Sequence, residues 1–108
     1  MTQTELVNWI NALIKHNNIK AFYNSALWEH VRQEVLSEQH YECKRCKDKG
    51  KYSKAVTVHH KHYLRKHPEL ALTKSNLEAI CGDCHFEEHH KHIELPLGLK
   101  LQTFLWTL

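Results

Sequence analysis

The sequence is poor in the residues that loosen or break a chain, with three glycines and two prolines in 108 residues. That excludes a disordered linker and a fibrous repeat. It has no long apolar run. Its apolar stretches are a few residues each, against the roughly 20 that cross a bilayer. The first residues, Met1-Thr2-Gln3-Thr4-Glu5, carry neither a basic segment nor an apolar core, so no secretory signal is expected. The default expectation is then the cytoplasm, where thiols stay reduced. No internal repeat and no low-complexity tract stand out.

Hydrophobic residues make up 42% and charged residues 25%, which is ordinary globular usage. The length fits one domain with a limited core, the kind that often needs a metal or disulfides as a staple. Two counts are unusual: eleven histidines and four cysteines, the latter in two close pairs. The formal charge is +3.

The first 40 residues should be helical. Thr2-Gln3-Thr4-Glu5 fits a capping box, and Leu6, Ile10 and Leu13 recur at helical spacing, widened by Trp9 and Ile14. Asn17-Asn18 is the expected stop. A second helix should start at Asn24 or Ser25, bury Trp28, Val31, Val35 and Leu36, and fade near Gln39-His40. Further on, Ala55–Val58 is a short β-prone run, Leu77–Ile80 is a second short apolar run, Pro68 argues against a long helix between them, and a helix is expected from about 83 to 93. The tail beyond Leu95 alternates like a strand and also repeats like a helix. It is expected to pack or associate, and its type stays open.

Between Cys43 and Lys74 lie ten Lys or Arg against only Asp48 and Glu69, a segment of +8 in a chain whose remainder is −5. Lysine is mostly a surface residue in any protein, but segregation this strong points to a polyanion.

Cys43-Lys44-Arg45-Cys46 and Cys81-Gly82-Asp83-Cys84 are two C-x-x-C pairs with 34 residues between them. Two disulfides or a redox pair are the alternatives. A redox pair needs no matching second one, and no βαβ pattern surrounds it. One structural zinc on four thiolates is the preferred reading, a closed site that does no chemistry itself.

Within the insert stand His59 and His60, and the second cysteine pair runs into His85 and His89. The latter two are i and i+4 on an expected helix, so they share a face and can serve one metal. His59 is available as a third imidazole. Strand residues alternate faces, so a metal-facing His59 leaves His60 free to act as a base.

Taken together, Phe22-Tyr23-Asn24-Ser25, Trp28, Cys43-x-x-Cys46, Val58-His59-His60, Asn76-Leu77, Cys81-x-x-Cys84-His85 and His89 resemble a small zinc-knuckle HNH endonuclease of the phage and prophage type, over residues 22 to 92. The resemblance implies an α+β fold: a ββα-metal finger with a four-cysteine zinc site, preceded by two helices. With the helical part at 1–40 and the packing or association segment at 94–108 read from the residues themselves, one domain is expected, its nuclease core at 41–93. By the same resemblance His60 is the general base, Asn76 braces its loop, and His59, His85 and His89 hold a catalytic Mg, Mn, Ni or Zn ion. His90 competes with His89 for the third place. Lys61, where relatives carry an apolar residue, and Arg65 and Lys66 are expected to hold DNA phosphates. The activity implied is hydrolysis of DNA phosphodiester bonds. One site per chain implies nicking by a monomer, and double-strand cleavage would need a homodimer or a partner, for which the phage packaging terminase is the implied candidate. The competing class is a zinc-stabilised nucleic-acid-binding module without catalysis.

Overall fold

The structure is a computed structural model and describes residues 1–90. The expected association segment at 94–108, and the last residues of the expected final helix, lie outside the described residues.

Helix α1 (Gln3–Lys15) opens on the anticipated capping box. Thr2 Oγ1 accepts from the Glu5 amide at 3.1 Å and Glu5 Oε1 accepts from the Thr2 amide at 3.2 Å. Its inward stripe buries Leu6 and Ile10. Asn17, at φ 52°, takes the left-handed turn that ends it, a conformation asparagine tolerates well. A helical turn that periodicity did not reveal follows, α2 (Lys20–Tyr23), carrying the fully buried Phe22. Ser25 then caps α3 (Ala26–Glu38) by accepting from the Trp28 amide at 3.2 Å.

The first cysteine pair sits on one turn of helix, α4 (Lys44–Asp48), with Cys43 as its N-cap. Two strands, β1 (Thr57–His60) and β2 (Leu77–Ile80), pair antiparallel, with His59 opposite Glu78 and His60 opposite Leu77. Strand β1 starts two residues later than expected. The Ala55 amide is taken by the Tyr41 carbonyl at 2.8 Å, so Ala55 belongs to the approach and the histidines to the ladder. Helix α5 (Gly82–His90) follows β2 directly. Residues 61–76 form a long connection with short 3₁₀ turns at Pro68–Leu70 and Lys74–Asn76, in line with the effect expected of Pro68.

A two-stranded sheet is marginal alone, and here helices support it. One core joins Leu6, Ile10, Phe22, Trp28, Val35 and Leu36 to Val58, Leu64, Leu77 and Ala79. Gln39 covers the free edge of β2, accepting from the Ala79 amide at 2.9 Å and donating to the Leu77 carbonyl at 3.3 Å. The N-terminal helices are therefore the wall against which the histidine-bearing hairpin rests.

Candidate metal and catalytic site

Cys43, Cys46, Cys81 and Cys84 converge, their sulfurs all within 4.8 Å of one another. None is in a disulfide. Cys46 Sγ lies 3.9 Å from that of Cys81 and 3.8 Å from that of Cys84. Four sulfurs about 2.3 Å from one tetrahedral ion lie roughly 3.8 Å apart, so the donors have the spacing of a single zinc-sized site. Burial pushes the Cys81 thiol up, but hydrogen bonds from the Cys84 backbone and from Ser53 outweigh it and bring it to about 6. Burial and the neighbouring Cys81 push Cys84 up. Crowded thiols cannot all ionise without a cation among them, and a dication removes that conflict.

His60 is 5% exposed and packed among aromatic rings. Trp28 stacks on it at 4.9 Å with 22° between planes, and Phe22 and Tyr23 lie 6.2 and 6.1 Å away. Its Nε2 is 2.9 Å from the Ala71 carbonyl. A carbonyl only accepts, so Nε2 carries the proton and Nδ1 keeps the lone pair. Burial lowers the His60 pKa, opposed by the Ala71 bond, so the neutral imidazole persists at neutral pH.

Asn76 is 4% exposed and binds the same loop three times. Its Oδ1 accepts from the His62 amide at 2.8 Å, and its Nδ2 donates to the carbonyls of His62 at 3.2 Å and Leu70 at 3.3 Å. Leu70 precedes Ala71, whose carbonyl orients His60.

His59 points toward Glu88 of α5. Burial lowers it to about 4, against the pull of Glu88. Its Nε2 is buried without a hydrogen-bond partner and lies 3.3 Å from Glu88 Oε1. A buried imidazole nitrogen with no partner is costly, and a bound cation would satisfy it. On α5, His85 and His89 meet Nε2 to Nε2 at 2.7 Å, whereas His90 turns its Nδ1 back to the Phe86 carbonyl at 2.7 Å. His59, His60, His85, Glu88 and His89 line one cleft of about 660 Å³. Among the described residues, however, the four cysteines are the one group of three or more such side chains whose ligand atoms converge. The three imidazoles share a cleft without closing on one point.

Arg65 and Lys66 line that cleft too. Both, with Lys61, are exposed and without an ion pair among the described residues. Some other charges of the basic segment are neutralised. Arg45 pairs with Glu78 and Glu88 at 2.8 Å each, and Lys74 with Glu34 at 3.0 Å and Glu38 at 2.7 Å. Glu88 had no signal in the sequence, because a glutamate in a run of histidines reads as a solvated helix face.

The hairpin, the histidine-bearing helix and the four-cysteine cluster together define a ββα-metal nuclease core. The family model for HNH endonuclease matches residues 43–91. Among solved structures the chain is similar to the HNH endonuclease of the deep-sea thermophilic bacteriophage GVE2, determined with a manganese ion. The two are 32% identical with a TM-score of 0.67, over 70% of this chain and 83% of the other. Nothing among curated protein sequences matches. The chain belongs to the HNH endonuclease family. Among its described residues no helix is long and apolar enough to cross a membrane.

Proposed function

We propose that the chain is a metal-dependent endonuclease that hydrolyses DNA phosphodiester bonds, with His60 as general base. The observation that carries this reading is the bond from His60 Nε2 to the Ala71 carbonyl, which leaves Nδ1 as the acceptor. A base so oriented takes a proton from water. Trp28 holds the ring plane from one side, and Asn76 holds the loop that carries the Ala71 carbonyl. Arg65 and Lys66, on the cleft rim, bind flanking phosphates, with Lys61 beside them.

His59, His85 and His89 would hold a divalent Mg, Mn, Ni or Zn ion, and manganese occupies the phage relative's structure. When bound, the ion supplies positive charge to the phosphate and to the departing oxygen. The four cysteines would hold a structural zinc that keeps α4, β2 and α5 together. We read residues 1–40 as the wall behind a nuclease core at 41–93, and 94–108 as an association segment of the same domain. The setting is the cytoplasm, with nicking by a monomer and double-strand cleavage by a homodimer or beside a phage packaging terminase.

The test is plasmid cleavage with a series of divalent metals, with and without chelator. Nicking that needs added metal and stops with chelator is expected. A zinc-loaded chain that binds DNA but never nicks would instead be a nucleic-acid-binding module.

A further inference from the structure

Glu88 is a buried carboxylate to which the mechanism above gives no task. It is 4% exposed. Its Oε2 accepts from Arg45 Nη1 at 2.8 Å and its Oε1 from the Tyr63 hydroxyl at 3.0 Å. The same Oε1 stands 3.3 Å from His59 Nε2, yet that nitrogen has no hydrogen-bond partner. The two atoms thus stand close without a hydrogen bond between them. Donors each about 2.1–2.2 Å from one cation, at angles between the octahedral and the tetrahedral, lie roughly 3.0–3.6 Å apart. The His59–Glu88 spacing falls in that range. The 2.7 Å between His85 and His89 is shorter and suits a hydrogen bond.

We propose that Glu88 is itself a ligand of the catalytic metal, giving it a carboxylate oxygen beside the His59 imidazole. This deepens the nuclease reading and rests on it. Glu88 lies three residues after His85 on α5, so both project to the same side of the helix. Tyr63 and Arg45 fix the carboxylate. Arg45 is shared with Glu78, to which it donates at 2.9 Å through Nε, so one guanidinium serves two carboxylates. A set of imidazoles alone favours zinc or nickel, whereas an added carboxylate shifts preference toward manganese and magnesium.

The test measures Mn²⁺ and Ni²⁺ binding to the zinc-loaded full chain and to E88Q by calorimetry, with zinc content checked in both. A ligand role predicts that E88Q weakens Mn²⁺ by about 10-fold or more and Ni²⁺ several-fold less. A carboxylate that only positions His59 also costs affinity, but equally for both ions, and that equal loss would overturn the proposal, as would no loss. A measurement on the parent needs no variant to fold. With glutamate carboxyl carbons labelled with ¹³C, electron–nuclear double resonance of bound Mn²⁺ should show a carbon at ligand distance. No coupled carbon, or no Mn²⁺ binding, overturns the proposal. A parent that shows the coupled carbon but fails to nick DNA defeats the nuclease reading and leaves the ligand assignment standing.

Discussion

Replacing Asn76 by aspartate isolates the brace behind His60, because shape is kept and only the donors change. The acceptor facing the His62 amide survives. The two donors facing the carbonyls of His62 and Leu70 become lone pairs at 3.2 and 3.3 Å from other lone pairs. Two lost hydrogen bonds cost about 0.5–1.5 kcal/mol each, and a buried group left facing the wrong partner about 1–3 kcal/mol more. A total near 4 kcal/mol at neutral pH follows, which for a domain of this size is a fall in Tm of roughly 15–30 °C. The penalty has a pH signature. A protonated carboxyl can donate to a carbonyl and an ionised one cannot, so the new group's folded pKa is raised above its ordinary value near 3.9. Stability is therefore retained at acid pH and lost as pH rises through that raised pKa. Urea denaturation of zinc-loaded parent and N76D at pH 5 and pH 8 should show the gap between them widening with pH. Nicking by the folded variant should fall on the order of 10²-fold, because the loop carrying the Ala71 carbonyl is loosened. A gap below about 1 kcal/mol, or one unchanged between the two pH values, would refute the reasoning.

Three other outcomes are expected. C46S, which removes one of the four converging sulfurs, should give an unfolded or aggregated chain, since a structural zinc contributes apparent binding energy comparable to a domain's whole stability; a well-folded, zinc-free product would contradict this. Changing Arg65 and Lys66 together to alanine should weaken binding to unrelated DNA sequences about equally and reduce the log–log salt slope by about 0.9 per lost phosphate contact, and an effect confined to one sequence would mark them as base readers. Because burial lowers the His60 pKa and the base acts when deprotonated, the acid limb of the pH–rate profile should lie below the ordinary imidazole value near 6.5, with rate lost as pH falls through it; a limb above that value would count against His60.

What could be read from the sequence was what local rules encode. Thr2 with Glu5, Ser25 ahead of Trp28, and the paired cysteines are short-range patterns whose physics needs no distant partner. The separation of His59 from His60 followed from strand alternation alone. Helix α2 escaped because four residues are too few to show a period. The stack of Trp28 on His60 escaped because a buried tryptophan reads the same whether it packs on leucine or on an imidazole. The Ala71 carbonyl leaves no trace in side-chain identity. The +8 segment overstated the free positive charge, since Arg45 finds its acids 33 and 43 residues away and Lys74 finds its own on α3. Glu88 was hidden for the same reason, as its role depends on Arg45, Tyr63 and His59 meeting around it.

The most direct test compares plasmid nicking by H60A, H85A and the parent, each with zinc content and DNA affinity measured. H60A should keep its zinc, fold and DNA binding and lose nicking by about 10² to 10⁴-fold, with no rescue by excess metal. H85A should lose at least as much, through weakened hold on the catalytic metal, and recover in part when metal is raised. If H60A and H85A nick like the parent, His60 is not the base and the site is not the one described.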